Sequence, residues 1–387
     1  MAACTAGRGR WLARNIGRAT QAHRWPKGLA MKPEAILVLP HLRVQNANAI
    51  SSPLTHGFPS ITAFLGLMWA LERKLAPDDI PLQLQAVGVI SHHHQEQVTQ
   101  QDYVRTFNLT RNPVSQKDKL AAFEEGKPAA IVEEGRIHLD ITLVFAVAEK
   151  RMAGGPPRLV QGGEAQMQEW ASAAGAILSQ MRVAGGTLLP SRPALGKRVR
   201  PWMAVLPEDH EARAEQFRWW RRQWLPGFAL VEQAHLLSER LAKLREKNPD
   251  ATLLDAWLHA ARWNYEPVPS KEGEATPADG KQRWADPLRG KGSGWTVPIP
   301  VGYAALSPRH LAGTVDNARN MGTPLRFVES VYSLGRWISP HRLSQPEELW
   351  WRAEIDEVKG LYRCRNAYVP APTDPDENAD WDDDSYD

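Results

Sequence analysis

The stretch "LVLPHLRVQNANAISSPLTHGFPSITAFLGLMWALERKL" (residues 37–75) decides the fold. Glu34 to Gln45 reads as a strand that Pro40, which has no N–H to donate, interrupts at an edge or bulge. Ser60 is placed to cap a helix in which Ile61, Phe64, Leu65, Met68, Leu71 and Leu75 recur at helical spacing, with Arg73 and Lys74 near its negative end. Between the two lies an amide-rich, chargeless loop, Gln45-Asn46-Ala47-Asn48, followed by Ser51-Ser52-Pro53. A strand feeding a buried helix is the first half of a βαβ unit.

Working outward, "LQLQAVGVISHHHQ" (82–95) makes a second strand, and "YVRTFNLTRNPVSQKDK" (103–119) a short strand running into an exposed loop that turns at Asn112-Pro113. "IVEEGRIHLDITLVFAVA" (131–148) puts Ile137, Leu139, Ile141 and Leu143 on one face of a third long strand. A second helix follows in "EAQMQEWASAAGAILSQM" (164–181), striped by Met167, Trp170, Ala171, Ala174, Leu178 and Met181. "RVAGGTLLP" (182–190) closes the unit as a fourth strand. The order β, α, β, β, α, β is the ferredoxin-like pattern shared by RRM-type modules, a topology that hosts many unrelated functions. The expected fold class is therefore α+β, with an RRM-like domain over residues 31–195 and a helix-rich region over 196–373. In the latter, 208–226 and 229–263 read as helices, 266–294 as a polar linker and 295–373 as a mixed segment.

The 387 residues are 43% hydrophobic and 24% charged, the balance of a soluble globular chain, and no apolar run reaches the roughly 18 residues of a membrane span. Cys4 and Cys364 make neither a disulfide framework nor a CxxC pair, so a reducing, cytoplasmic setting is expected. The net charge of +3 hides an uneven distribution: +6 over residues 1–30, −8 over 374–387, and +5 over the segment between. The Arg-rich start superficially suits a transit peptide, but Met31 stands just before the first strand, so 1–30 reads as an extension, disordered or from a start assigned too far upstream. The Asp-rich end, a block of like charges, reads as a disordered tail.

Several constellations bear on chemistry. Neutral amides and hydroxyls of Gln45, Asn46, Asn48, Ser51 and Ser52 suit the edges and 2′-hydroxyls of unpaired RNA bases, with Arg43 available for phosphate; equally, Asn and Ser satisfy turns and caps. "RTFNLTRNP" adds Arg105, Asn108, Arg111 and Asn112, and the third strand opens with Arg136. In "QFRWWRRQWLPG" (216–227), Phe217, Trp220 and Trp224 share a helical face that reads as core, which leaves Arg218, Arg221 and Arg222 as candidate phosphate contacts. His92, His93 and His94 are consecutive, and because strand side chains alternate faces, three in a row cannot converge on one metal ion. "GKGSGW" (290–295) lacks P-loop spacing, and no GxGxxG or nucleophile elbow is present, so no catalytic residue, metal or cofactor is expected.

Taken in order, "VQNANAISSPLTHGFPSITAF", "VRTFNLTRNP", "AAIVEEGRIHLDITL", "WLPGFAL", "VPIPVGYAALSP" and "TPLRFVESVYSLGRWISPHR" resemble the second-Csy-subunit family, the type I-F branch of the Cas-five CRISPR effector proteins. The resemblance runs from about Met31 to about Tyr368. It implies an RRM-like (RAMP) body acting as a non-catalytic subunit of a crRNA-guided surveillance complex. In such a complex it would grip the crRNA 5′ handle and pair with a large Cas-eight-type subunit. It would also cap a filament of Cas-seven-type backbone subunits, with a Cas-six-type endonuclease on the 3′ hairpin and target DNA nearby, near the PAM. The alternative, from the enzyme class, is a metal-independent endoribonuclease that cuts repeat RNA with His56, His138 or His341 as general base. The acidic tail is additional to the family pattern.

Overall fold

A computed structural model describes residues 31–102, 104–111, 131–150, 158–191, 198–262, 264–267, 284–286, 295–318 and 320–370. The expectations for the Arg-rich start, the Asn112-Pro113 turn, most of the 266–294 linker and the acidic tail lie outside these residues.

Strand β1 (Ala35–Asn48) leads through two short paired segments into helix α1 (Ile61–Leu75), where the Ser60 hydroxyl accepts the Thr62 N–H. Strands β2 (Leu82–Glu96) and β3 (Arg136–Glu149), helix α2 (Gly163–Ser179) and strand β4 (Gly186–Leu189) follow. Beyond them come β5 (Trp202–Val205), α3 (His210–Arg222), β6 (Phe228–Glu232), α4 (Ala234–Lys247) and α5 (Leu253–Ala260). The chain ends on β7 (Trp295–Ala305), β8 (Val328–Ile338), β9 (Trp351–Asp356) and β10 (Leu361–Asn366). The molecule is thus a mixed α+β protein built on one large antiparallel sheet.

That sheet has eleven strands. From one edge the order is Arg182–Val183, β4, β1, β3, β2, β6, β8, β7, β10, β9, with β5 alongside the first half of β1. Strand β2 is the hinge of the arrangement. One edge pairs with β3 along nearly its whole length, while the other is shared between β6, at Ser91 and Ile90, and β9, where Trp351 faces Val87. The ring β2-β6-β8-β7-β10-β9 therefore closes on itself. At Gly302 a Cβ would stand 2.0 Å from the Tyr362 carbonyl oxygen, so the contact of β7 with β10 requires glycine.

Strand alternation sends Leu37, Leu39, Val87, Val89, Leu143 and Phe145 to one face, where α1 and α2 cover them. The neighbours Ile36, Val38, Ile90, Val144 and Ala146 go to the other, where Trp202, Phe217, Trp220, Trp224, Leu349 and Trp350 close over them. Both faces are consequently dry. Pro40 falls in a bulge between Leu39 and Leu42, where His41 takes φ 49°, so the strand absorbs the missing donor without ending.

Four expectations are corrected. Residues 45–48 are not a loop: β1 runs on to Asn48 through a second bulge between Val44 and Ala47. Residues 182–190 are a hairpin, Arg182–Val183 turning at Ala184-Gly185 into β4, because both turn residues adopt positive φ. Residues 229–263 are not one helix. The run Ala229-Leu230-Val231 is captured as β6 between two strands, and helix resumes only after Gln233. Finally, the 196–373 region is not simply helix-rich, since it contributes β5 to β10 to the common sheet; tertiary pairing overrides local propensity there. Among the described residues, no helix is long and apolar enough to cross a membrane.

Two outcomes follow from this packing. Trp220→Ala should lower the unfolding free energy by about 3–5 kcal/mol, whereas its exposed neighbour Trp219→Ala should stay within about 0.5 kcal/mol, measured by urea denaturation. Cys364 is fully buried on β10, and burial pushes its thiol up to about 12. Iodoacetamide at pH 8 should therefore leave Cys364 unmodified in the native protein and label it once urea opens the ring, read by mass spectrometry.

Candidate nucleic-acid interface

Because both sheet faces are buried, polar side chains gather where the strands end. The last residues of β1, the first of β3 and the residues following β2 border a cleft of about 420 Å³. Gln45, Asn46, Asn108, Arg136, Arg182 and Thr187 line it. Across the Arg182–Gly186 hairpin lies a second, more apolar cleft of about 370 Å³, bounded by Asn48, Ser51, Ala63, Gly66, Leu67 and Met181. Arg182 and Gly185 border both.

The hairpin is held against β1 by the Asn48 N–H, which donates to the Ala184 carbonyl at 2.9 Å. It comes so close that a Cβ on Gly186 would stand 2.7 Å from the Ala47 nitrogen. This approach carries Arg182 to the cleft. Its guanidinium reaches only the Gly185 carbonyl, at 3.5 Å, and among the described residues no carboxylate lies within ion-pairing distance. Arg182 is thus the arginine of the cleft that makes no ion pair among the described residues, whereas Arg136 is paired with Glu134, which also lines the cleft. Sequence reading passed over it; the signal was Ala184-Gly185-Gly186, which marks a tight turn rather than a continuous strand.

The structure separates the remaining candidates by what their polar atoms already do. Gln45 and Asn46 are exposed, and within the described residues neither side-chain amide has a hydrogen-bond partner. Asn46 takes φ 57°, and its backbone N–H donates to His138 Nδ1 at 3.1 Å. The Asn48 amide is engaged in a local turn, donating to the Ile50 carbonyl and accepting the Ile50 N–H. Ser51 Oγ accepts the Ser60 N–H at 2.9 Å, and Ser52 Oγ pairs with Thr55 Oγ1 at 2.7 Å, so both hydroxyls already serve the approach to α1. Arg43 donates to the Pro190 carbonyl, Arg136 is paired with Glu134 at 3.1 Å, and Asn108 Oδ1 accepts from Thr99. Arg105 donates to Gln100 Oε1, with Glu96 3.7 Å away. The Arg111 backbone closes a short strand, Leu109–Arg111, against Ile131–Glu133, while Asn112 lies outside the described residues.

Helix α3 is elsewhere. Phe217, Trp220 and Trp224 are core, as their spacing predicts, and they hold the helix on the sheet face opposite α1, away from the strand-end clefts. Arg218 and Arg222 project outward, and Arg221 donates to the Leu343 carbonyl. The three histidines diverge: His92 bonds Thr142 Oγ1 at 2.7 Å and the Pro226 carbonyl at 2.8 Å and stacks on His41, while His93 and His94 are exposed. Among the described residues, no cluster of His, Cys, Asp or Glu has the arrangement of a metal site.

An α+β chain with this strand-end site falls in a class that comparison with known proteins defines, the CRISPR-associated proteins. A family model described as "CRISPR-associated protein (Cas_Csy2)" matches residues 37–364. The chain is also 43% identical over 334 residues to the "CRISPR-associated protein Csy2" of Pseudomonas aeruginosa (strain UCBPP-PA14), an overlap of 86% of this chain and 95% of that relative. The chain belongs to the Csy2 family.

Ser51→Ala removes the acceptor of the Ser60 N–H and should cost about 1–2 kcal/mol of stability in urea denaturation.

Proposed function

We propose that this protein is a non-catalytic subunit of a type I-F CRISPR surveillance complex, a Csy complex or Cascade, and that its strand-end cleft holds the 5′ handle of the crRNA. In this reading residues 31–195 are a ferredoxin-like, RAMP-type body of the Cas-five kind, and 196–373 an appendage stitched to it through β2 and, by β5, through β1. The order of β4, β1, β3 and β2, with both helices on one face, supports it. The large Cas-eight-type subunit is the proposed direct partner. Cas-seven-type backbone subunits and a Cas-six-type endonuclease complete the assembly in the bacterial cytoplasm, with target DNA as the object it recognises.

One observation carries the RNA reading. An RRM-type sheet stacks bases on its open face, but here that face is covered by tryptophans, while among the described residues two unbonded amides and an arginine without an ion pair converge at the strand ends. Amides that meet no partner in the protein are placed to read the edges of splayed bases, and Arg182 is placed to meet a phosphate between the two clefts. The more apolar cleft beside it, walled by Leu67 and Met181, suits a base turned out of its stack.

The test is to purify the full chain with its large subunit, titrate the pair into 5′-labelled repeat RNA, and recover the bound RNA to measure its length. Intact RNA is expected, held in preference to a control with a scrambled handle. Gln45→Ala with Asn46→Ala should reduce that preference roughly five- to 100-fold, the scale of one or two lost base contacts. Arg182→Ala should weaken binding to both RNAs and lower the salt slope by about 0.7, one single-strand phosphate contact. A shortened RNA product would overturn the non-catalytic assignment, and an unchanged preference in the amide variant would remove the cleft from handle recognition.

A further inference from the structure

The strand-end cleft leaves α3 without a role beyond closing the core, yet the outer side of that helix is not an ordinary solvated face. Its inner side is fixed by Phe217, Trp220 and Trp224. Its outer side, one turn before the C-terminus, presents Arg218, Trp219 and Arg222, and the indole of Trp219 is 59% exposed. Arg218 and Arg222 are i,i+4 neighbours and Trp219 and Arg222 are i,i+3 neighbours, so the two guanidiniums and the indole share one stretch of the outer helix surface.

Neither Arg218 nor Arg222 has a carboxylate within ion-pairing distance among the described residues, although acids stand close by. Glu347 is engaged with Arg213 at 2.7 Å, and Glu348, half-buried, accepts the Ser344 N–H at 2.7 Å. Arg221, anchored on the Leu343 carbonyl, adds a third guanidinium, and the exposed Arg342 precedes that carbonyl. Burial first, and then the like charges of Arg218 and Arg222, pull the Arg221 guanidinium below its ordinary value, with Glu348 opposing. Complementing the helix dipole accounts for cations in a last turn, but not for an exposed indole beside them.

We infer that Arg218, Trp219 and Arg222 form a second polynucleotide surface, separate from the strand-end cleft, that takes a single strand with its phosphates on the guanidiniums and an unpaired base on the indole. Charge selects a polyanion, and the bare ring selects unpaired bases, because paired bases offer no open π-face to stack on. Phosphate pairing and stacking read neither base identity nor the 2′-hydroxyl, so DNA and RNA single strands are both accommodated. This surface lies on the sheet face opposite α1, away from the proposed handle site at the strand ends, and does not depend on it.

The test is fluorescence anisotropy of the full chain with labelled, mixed-sequence single-stranded DNA, single-stranded RNA and duplex DNA. The variants are R218A/R222A, R218K/R222K, W219A and, as a cleft control, R182A. Thermal melts verify that each is folded. R218A/R222A is expected to lose roughly tenfold or more in affinity for both single strands and to lower the salt slope by about 1.4, two contacts. W219A is expected to lose about fivefold or more with its slope unchanged, and R218K/R222K to keep most of the affinity. R218A/R222A should retain the preference for handle over scrambled RNA, which separates this surface from the handle reading. Unchanged affinity and slope in R218A/R222A would overturn the inference and assign the face to an acidic protein segment. A preference for duplex with W219A silent, or strict dependence on RNA, would overturn it as well.

Discussion

Strand β2 has one edge for β3 and a second edge divided between β6 and β9, and the rest of the structure depends on that division. By accepting Phe228 and Ala229 at one level and Trp351 at another, it turns an open sheet into a sheet that closes upon itself. Closure brings Trp350 and Leu349 over the face that α1 and α2 leave bare, where they meet the tryptophans of β5 and α3. A face lined by Ile36, Val38, Val144 and Ala146 is thereby removed from water, a strongly favourable burial. The consequence is geometric: the sheet presents no open polar platform, and exposed polar groups gather at strand ends and on outward helix faces.

The same closure is reinforced by polar bonds that apolar packing alone could not specify. Glu232, almost fully buried, meets Arg363 at 3.2 Å and Arg365 at 3.5 Å and accepts the Asn366 N–H, so its desolvated charge is matched on several sides. The Trp351 indole N–H donates to the Leu230 carbonyl at 2.7 Å, tying β9 to β6 across the ring. These bonds fix which strands meet. Ring and cleft are linked at a distance, because the β2 that anchors the ring ends at Glu96 and the next residue, Gln97, borders the cleft.

What the sequence disclosed follows from how local each determinant is. Helix α1 was legible because Ser60 and the Ile61-to-Leu75 stripe are contained within sixteen residues, and the four long elements of the body were legible for the same reason. The inner face of α3 was legible too, since Phe217, Trp220 and Trp224 obey a single period. Strand β6 was not: Ala229-Leu230-Val231 is a strand only because β2 and β8 lie on either side of it, and those partners come from 82–96 and 328–338. At the candidate site, Gln45, Asn46, Asn108 and Arg136 were identified from chemistry and the fold does bring them to one cleft. Arg182 escaped because its importance comes from a hairpin docking on β1, a contact between residues well over a hundred positions apart. The hydroxyls of Ser51 and Ser52 show the converse, residues whose composition reads as recognition but whose bonds support the turn.

The central claim, that the tryptophan-covered sheet leaves RNA to the strand ends, is tested most directly by photo-crosslinking. Handle RNA carrying 4-thiouridine at each position in turn, bound to the full chain with its large subunit, would be irradiated and its adducts mapped by mass spectrometry. Handle adducts on the segments 45–48, 107–111 and 182–187 are the predicted result. Handle adducts confined to peptides bearing Trp202, Trp220, Trp224 or Trp350 would show that RNA reaches the sheet face, and would contradict it.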